Sequence, residues 1–467
     1  MGIEFEREEY KAALPKWKLV DDMVEETNLE EHLLELNPTD KSEDNKARNK
    51  AYKERASFLG ASGITLQAMI GLAFSKAPKL DIPEGLSYLK KNADGSGVDL
   101  QQQMQNATSQ VLRKDRAGVF VTFPETNGPV TIADQEAQRY IATIHLIDAK
   151  RITNWWNVTI GAECRLGGVV FNDTETVVED YEIKPTKIKR EIALEDGILV
   201  DRKWQKVDAK WEVLSEAFPR GRDGSSLTFV PFMFIGSQDN TQHMSKPPML
   251  SLARKNRDHY RNSADNEESV WFAGQAQPWA SGLDQETVEA WKKEGIYIGS
   301  RRVMALGESG QFGFATADVN TGSRQAMLDK VEEMAAIGAR FIQTGSAAKT
   351  ATQSDNEAIV QHSVLSLVSV NVEDAYQQAI EWAAMYQGTS GNIEVQLNRD
   401  FMKPTITVEL MREYREWFFA GLLGTTEIHA FGTRAEIIDG EKTADEYGED
   451  VASRGGIISP PPDTSEE

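Results

Sequence analysis

The chain has 467 residues, 40% of them hydrophobic, which is enough apolar material for a folded protein with several sub-domains. Its 73 acidic residues outnumber its 51 lysines and arginines, so the formal net charge is −22. This balance argues against a protein that grips nucleic acid over its whole surface, because such binding depends on neutralised phosphates. With one cysteine, Cys164, an internal disulfide and a cysteine-based metal site are both excluded.

Helices and strands are both predicted in the first half of the chain. Apolar residues recur at helical spacing from 49 to 74, and a later polar helix leads into the strand "AGVFVTFP" at 117–124. Between 176 and 214 the period changes to two, and Asp196-Gly197 predicts a hairpin turn. In "KVDAKWEV" the alternation predicts one strand whose inward side chains are Val207, Ala209, Trp211 and Val213.

The second half is predicted to be mostly helical. A long helix from about Met249 to Glu268 is followed by an insert with a short helix, 284–294, for which Asp284 is the expected N-cap. The remaining predictions are strands at 296–306 and 310–317, helices at 323–341, 357–387 and 407–424, and a small polar loop at 343–356. The acidic, Pro-containing tail after Gly440 is expected to be disordered or lightly ordered.

The helix at 249–268 carries its charges in an unfavourable order. Its bases Arg254, Lys255, Arg257 and Arg261 lie toward the N-terminus, and its acids Asp265, Glu267 and Glu268 lie toward the C-terminus. The helix dipole prefers the reverse, at roughly 0.3–1 kcal/mol per exposed charge. A helix that packs against copies of itself would explain this order, and an ordinary solvated helix explains it equally well. The narrow set of apolar residues expected to face inward is Met249, Leu252, Ala253, Tyr260 and Ala264.

Motifs for catalysis or metal binding are not found in the sequence. No two of its six histidines have the spacing of a zinc-binding helix. "QTGSAAKT" has Gln343 and Ala348 where a phosphate-binding loop needs glycines. No cofactor or metal is therefore predicted, and the protein is not expected to be an enzyme. A hydrolase that uses His259, Arg261 and Asp265 as an acid–base cluster is the less favoured alternative.

Several segments resemble one family of viral proteins. They are "YKERASFLGASGITLQAMIGLAFSKAP", "RAGVFVTFP", "ITNWWNV", "VPFMFIGSQDN", "KPPMLSLARKNRDHYRNSADNEESVWFAGQAQPWASG", "EEMAAIGARFI" and "LNRDFMKPTIT". The most specific is the long block that begins at the proline pair 247–248. Over about 51–438 the chain resembles the portal proteins of tailed bacteriophages, in particular a branch first catalogued as a domain of unknown function. The charged segment 23–49 departs from the family pattern.

The resemblance implies an α+β portal fold with wing, stem helices, clip and helical crown, which assembles as a ring around a central channel. Its regions would be a wing (1–247), a first stem helix (248–270), a clip (271–322), a second stem helix (323–342), a tunnel loop (343–356), a long wing/crown helix (357–390), a crown (391–440) and a flexible acidic tail (441–467). The ring usually has twelve subunits and occupies one vertex of the capsid.

The resemblance also implies a function. Double-stranded DNA would pass through the channel with weak contacts, packaged by the terminase large subunit and later ejected. Further expected partners are a neck adaptor and the major capsid and scaffolding proteins, with no membrane. The expected location is the virion, and the host cytoplasm during assembly. The alternative from the same setting is another ring-forming virion protein, such as a neck adaptor.

Three groups of site residues follow from the resemblance and the charge pattern. The tunnel loop would present Thr344, Ser346, Lys349 and Thr350 to the DNA channel. The subunit interface of the first stem helix would contain Arg254, Arg257, Arg261, Asp265 and Glu268. The clip would dock the terminase and the adaptor through Trp279 and Trp291.

Overall fold

The computed structural model describes residues 2–124, 140–179, 181–221, 223–294, 309–341, 363–399, 401, 408–420, 422–434 and 442–453. The chain divides into two compact units, Met1–Asn398 and Arg399–Glu467. Helices and antiparallel strands are both present, and this confirms the mixed α+β class. None of the described helices is long and apolar enough to cross a membrane.

Hydrogen-bonding residues begin several helices of the first unit. Ser42, Asp99, Asn320 and Ser363 each accept a backbone N–H from the first turn that follows, which satisfies a donor that the helix itself leaves free. The helices are α1 (Glu8–Glu25), α2 (Glu43–Arg55), α3 (Ala61–Ala73), α4 (Leu100–Lys114), α5 (Leu250–Ala273), α6 (Gln285–Glu294), α7 (Thr321–Arg340) and α8 (Val364–Gln387).

The strands of the first unit form antiparallel sheets. They are β1 (Lys79–Asp81), β2 (Arg116–Thr122), β3 (Thr143–Asp148), β4 (Ile152–Ile160), β5 (Glu163–Glu179), β6 (Glu182–Glu195), β7 (Ile198–Val207), β8 (Lys210–Ala217), β9 (Phe232–Gly236), β10 (Gln277–Ser281), β11 (Gln311–Ala315) and β12 (Glu394–Gln396). A five-stranded meander has the order β4-β5-β6-β7-β8, a three-stranded sheet has the order β3-β2-β9, and β1-β12 and β10-β11 form two-stranded sheets.

The core lies between the two larger sheets and under α8. Phe171 of the meander contacts Phe120 of β2 and Phe232 of β9, at ring-centroid distances of 6.0 and 6.5 Å. On the other side, the fully buried Tyr376 of α8 donates its hydroxyl hydrogen to Gln103 of α4 at 3.4 Å. The Asn371 side chain of α8 donates to the Gly236 carbonyl at 2.8 Å. The two larger sheets, α4 and α8 therefore pack around one common core.

One predicted strand is a hairpin. The turn at Asp196-Gly197 is confirmed, with positive φ at both residues. "KVDAKWEV", in contrast, contains the end of β7, a turn at Asp208-Ala209 and the start of β8. Both turn residues have positive φ, 46° and 70°, which reverses the chain. The inward alternation is wrong as well, because Val207 and Val213 are 42% and 46% exposed.

The other predicted elements need smaller corrections. The apolar pattern at 49–74 is divided between α2 and α3, with irregular backbone between them. Val364 at the start of α8 is 37% exposed, whereas Tyr376 and Ile380 farther along the helix are buried. The strand predicted at 296–306 lies outside the described residues, and the one at 310–317 is β11.

The second unit contributes three helices to the described part of the chain, α9 (Val408–Phe419), α10 (Thr425–Arg434) and α11 (Ala444–Ser453). Tyr414 of α9 stacks on Phe431 of α10 at 3.9 Å, and His429 of α10 contacts the Tyr447 ring at 5.3 Å. Helix α11 lies in the acidic tail, which was expected to be disordered or lightly ordered, so residues 444–453 of that tail form a helix. Residues 441 and 454–467 of the tail lie outside the described residues.

Candidate functional site

Helix α5 is the long helix predicted from the charged block, and its apolar face is buried as expected. Met249, Leu252, Ala253 and Ala264 have no exposed surface, and Tyr260 is 4% exposed. Phe58 meets the Tyr260 ring edge-on at 5.4 Å. This apolar stripe fixes one side of α5 against the helices that precede it in the chain.

A buried amide joins α5 to the start of α3. The Asn256 side chain accepts hydrogen bonds from the Ser62 backbone N–H and hydroxyl, each at 2.9 Å, and donates to the Leu59 carbonyl at 2.7 Å. Asn256 and Ser62 have no exposed surface. Since buried polar groups are costly unless they are paired, this set fixes both the depth and the rotation of α5.

The acidic end of α5 is neutralised by α2 of the same chain. Asp265 accepts the Tyr52 hydroxyl hydrogen at 2.7 Å, and burial, aided by this carboxylate, raises the pKa of Tyr52, so the hydroxyl remains a donor. Glu268 forms ion pairs with Arg48, at 3.3 Å, and with Arg55. The Arg55 guanidinium also lies 4.3 Å from the centre of the Trp271 ring. Both acids predicted at a subunit interface thus have partners within the chain.

Two of the three predicted basic residues are also satisfied within the chain. Arg261 donates to the His32 carbonyl at 2.8 Å, and Arg257 pairs with the adjacent Asp258 at 2.8 Å. Arg254 is exposed and has no polar partner among the described residues. The unfavourable charge order of α5 therefore does not require a second copy for compensation. The assignment of these residues to a subunit interface stays a prediction.

Helix α7 runs antiparallel to α5. Lys255 near the start of α5 pairs with Glu333 near the end of α7 at 2.5 Å. At the opposite end, the Asn320 backbone N–H donates to the Ser269 hydroxyl oxygen at 2.8 Å. The two helices therefore form a hairpin with the predicted insert at its end.

Little of the described part of the chain covers α7. The structure describes the whole helix, and Met334 is its buried side chain. Leu328 and Val331 expose 52% and 40% of their surface, although both are apolar. Apolar residues at this spacing form a stripe on one helix face, so α7 carries an exposed apolar stripe.

A groove of about 360 Å³ lies between α5 and α7. His259 lines it and is 5% exposed, and its Nδ1 has no hydrogen-bond partner among the described residues. Burial, reinforced by the nearby Lys330 ammonium, lowers the pKa of the His259 imidazole. The ring is therefore neutral at neutral pH and serves as a packing group between the helices.

The three members of the alternative acid–base cluster do not converge. His259 faces the α5–α7 groove, whereas Asp265 bonds to Tyr52 of α2 and Arg261 bonds to the backbone at His32. No cluster of metal-ligating side chains occurs in the described part of the chain. The geometry does not assemble the hydrolase that was the less favoured alternative.

The insert between the two helices combines a short hairpin with α6. Asp284 is the N-cap as predicted and accepts the Thr287 N–H at 2.7 Å. Trp279 of β10 is 43% exposed and lies over Gly313 of β11, where a Cβ atom would come within 2.9 Å of the indole. Trp291 on α6 is half-buried. The two tryptophans predicted to dock partners are thus both at least partly accessible.

The chain leaves α7 and enters α8 at the same place. The Leu365 backbone N–H donates to the Phe341 carbonyl at 3.2 Å, so the ends of the intervening segment 342–362 are close together. The predicted tunnel-loop residues Thr344, Ser346, Lys349 and Thr350 belong to that segment and lie outside the described residues.

Sequence reasoning missed the partners of α5. Tyr52 and Arg55 were not among the predicted site residues, and Arg48 lies in the charged segment that departs from the family pattern. The sequence did contain a signal. Arg48 and Arg55 lie one helical turn before and after Tyr52, so the three side chains share one helix face. The positive charges on that face are opposite to those of the acids at the end of α5.

Comparisons with known proteins add the following. The family model described as a domain of unknown function, DUF4055, matches residues 248–387, the span of α5, the insert, α7 and α8. No curated protein matches the chain. It is similar to one chain from the virion of a native gene transfer agent particle, and to one from the neck of that particle computed with C12 symmetry. Each has 15% identity and a TM-score of 0.39, with 79% of this chain and 88% of the other covered. A TM-score this low supports no argument about function.

Proposed function

We propose that this protein is a virion structural protein of phage type and, more specifically, the portal: a ring around a DNA channel at one capsid vertex. The observation that carries the proposal is the antiparallel α5–α7 pair with an exposed insert at one end and a chain excursion, 342–362, at the other. The succession stem, clip, stem, tunnel loop and long helix is the one that the sequence resemblance implies.

The distribution of covered and exposed surface supports a ring. Helix α5 is joined to α1, α2 and α3 within the chain, whereas α7 exposes Leu328 and Val331. A head-to-tail contact, in which α7 meets a different surface of the next copy, closes into a ring when its rotation permits. Arg254, exposed and without a partner among the described residues, is our first candidate for a charge that faces the next copy.

The acidity of the chain fits a channel that transmits DNA. Each subunit carries −22, so a wall built from such chains repels the duplex and keeps it mobile. Lys349 and the neighbouring hydroxyls of Thr344, Ser346 and Thr350 supply the weak contacts, and Trp279 and Trp291 of the insert bind the terminase and then the adaptor. Hydrolysis of ATP belongs to the terminase in this scheme.

The first experiment asks whether the purified protein forms rings. We expect rings of about twelve subunits in negative-stain images and a matching mass by mass photometry. Leu328→Asp should reduce the assembled fraction strongly, because it places a charge in the apolar stripe of α7. Leu214→Asp is the matched control, since Leu214 is also exposed, at 46%, but belongs to strand β8 of the meander.

Two results would change the proposal. A wild-type protein that stays monomeric at micromolar concentration contradicts ring formation. The second test expresses the protein together with the other virion proteins. A ring that joins particles only after DNA packaging favours the neck adaptor over the portal, because a packaging channel must be present before packaging begins.

A further inference from the structure

A connecting loop, residues 237–249, joins β9 to α5, and Asp115 at the end of α4 bonds to it near both ends. The Asp115 carboxylate accepts the Ser237 backbone N–H, at 3.4 Å, and the Ser237 hydroxyl hydrogen, and it also accepts the Ser245 backbone N–H. Asp115 is 3% exposed. Because a buried carboxylate is costly without such donors, these bonds fix two distant parts of the loop to one point.

The next residue, Arg116, bonds to the middle of the connecting loop. Its guanidinium contacts two rings, 4.8 Å from the centre of Trp155 and 4.3 Å from the centre of Phe234. Nη2 donates to the carbonyls of Gln242 and, at 2.9 Å, His243, whereas Nη1 is buried and has no partner among the described residues. A buried donor without a partner is costly. A small shift of the loop would give one carbonyl to each nitrogen and remove that cost.

Helix α8 is bonded to the start of the same loop. The Asn371 side chain of α8 donates to the Gly236 carbonyl, and the Asn240 side chain of the loop donates to the Asn371 carbonyl, both at 2.8 Å. Residue 236 has to be glycine here, because a Cβ atom would come within 2.1 Å of the Asp239 carbonyl oxygen. The loop therefore turns tightly against α8 at one end.

The other end of the loop continues directly into α5. The Met249 backbone N–H donates to the Leu112 carbonyl of α4 at 3.2 Å, and the Leu250 N–H donates to the Pro247 carbonyl at 3.1 Å. The first residues of α5 consequently follow the position of the loop. One short segment thus connects a helix that precedes α7 with a helix that follows it.

We propose that the connecting loop is a conformational joint that couples α8 to α5, with Arg116 as its fixed point. The guanidinium keeps its place on the two rings while a loop carbonyl moves from Nη2 to Nη1, so the loop has two positions. Asn371 favours one of them because it bonds to the start of the loop, and a displacement of α8 therefore shifts the start of α5. The joint lies within a single chain, so the proposal does not depend on the portal assignment.

Hydrogen–deuterium exchange of the full-length protein, read by mass spectrometry, tests the coupling. Asn371→Ala removes the side-chain bond between α8 and the loop. We expect exchange to become about tenfold faster in the loop and in residues 253–256 of α5, although Asn371 bonds to the loop and not to that turn. In an Arg116→Lys background, whose single nitrogen offers the carbonyls no second position, Asn371→Ala should add less than about twofold at residues 253–256.

Tyr376→Phe is the matched control for a general loosening of α8. It removes a buried hydrogen bond of that helix, the one to Gln103 at 3.4 Å, which does not involve the loop. Exchange in residues 253–256 should therefore stay as in wild type. The proposal is overturned by unchanged exchange there in Asn371→Ala, by an equal rise in Tyr376→Phe, or by a full tenfold rise in the Arg116→Lys background.

Discussion

Helices α5 and α7 form one antiparallel pair, but they differ in what covers them. Helix α5 buries an apolar stripe and the Asn256 amide within the first unit, and Asp265 and Glu268 at its acidic end bond to α2. Helix α7 has Met334 as its buried side chain and exposes Leu328 and Val331. The contrast assigns the two helices different physical roles within the same hairpin.

In this chain, stability and assembly depend on different helices of the pair. Polar contacts of α5 contribute to the free energy of unfolding of a single chain, because both partners belong to it. Apolar surface on α7 contributes little to that free energy, and it is available for association. Substitutions on α5 should therefore change stability, and substitutions on α7 should change association, as expected for Leu328→Asp.

The largest expected effect comes from Asn256→Leu on α5. Leucine has a similar volume but leaves the Ser62 N–H, the Ser62 hydroxyl and the Leu59 carbonyl without their buried partner. We expect the free energy of unfolding to fall by roughly 2–4 kcal/mol. Urea denaturation followed by circular dichroism measures it.

The matched control is Gln325→Leu on α7. Its amide donates to Asp329 at 2.8 Å on an exposed surface, so the same type of substitution should change stability by less than about 0.5 kcal/mol. If both variants lose the same stability, α5 is no more embedded than α7 and the comparison fails.

A smaller effect is expected from the ion pair between Glu268 and Arg55. The two side chains are 13% and 24% exposed, which limits solvent screening. A double-mutant cycle with Glu268→Gln and Arg55→Met should give a coupling energy of roughly 1–2 kcal/mol. The cycle is measured by urea denaturation at low and high salt.

The corresponding control is the pair Lys255–Glu333, which joins α5 to α7 with both side chains largely exposed, at 40% and 50%. Its coupling energy should be much smaller and should vanish at high salt. A larger coupling for this pair than for Glu268–Arg55 would show that ion pairing holds α5 to α7 more strongly than to α2.

Local patterns predicted the elements of this site well. The buried stripe of α5, the Asp284 cap of α6 and the turn at Asp196-Gly197 were all read from residues close together in the sequence. Asp208-Ala209 was missed because alanine seldom adopts positive φ and does not signal a turn.

The contacts that define the site could not be predicted in the same way. Tyr52 and Asp265 are 213 positions apart, and nothing in a single sequence fixes which acid of α5 meets which base of α2. The charge order of α5 suggested a partner chain, whereas the structure supplies the partners from an earlier helix. Trp156, Trp204 and Trp211 line one cleft of the meander but come from three different strands, so only the sheet register brings them together.

The smallest expected effect concerns pH and the groove between α5 and α7. Burial, with Lys330 nearby, lowers the pKa of His259 below its value in the unfolded chain. Below the unfolded value of about 6.5, the unfolded chain binds a proton that the folded chain excludes, so stability falls as pH falls. Because one group is involved, the slope is at most about 1.4 kcal/mol per pH unit.

Urea denaturation at about pH 7.5 and about pH 5.5 tests whether His259 is enclosed between the two helices. Wild type should lose more stability on acidification than His259→Gln, because the variant has no imidazole to protonate in the groove. His243→Gln, at an exposed histidine, should lose as much as wild type. Identical acid sensitivity of all three proteins would mean that α7 leaves His259 open to solvent. Helix α5 would then be exposed to solvent on the face that meets α7, although its other faces are covered.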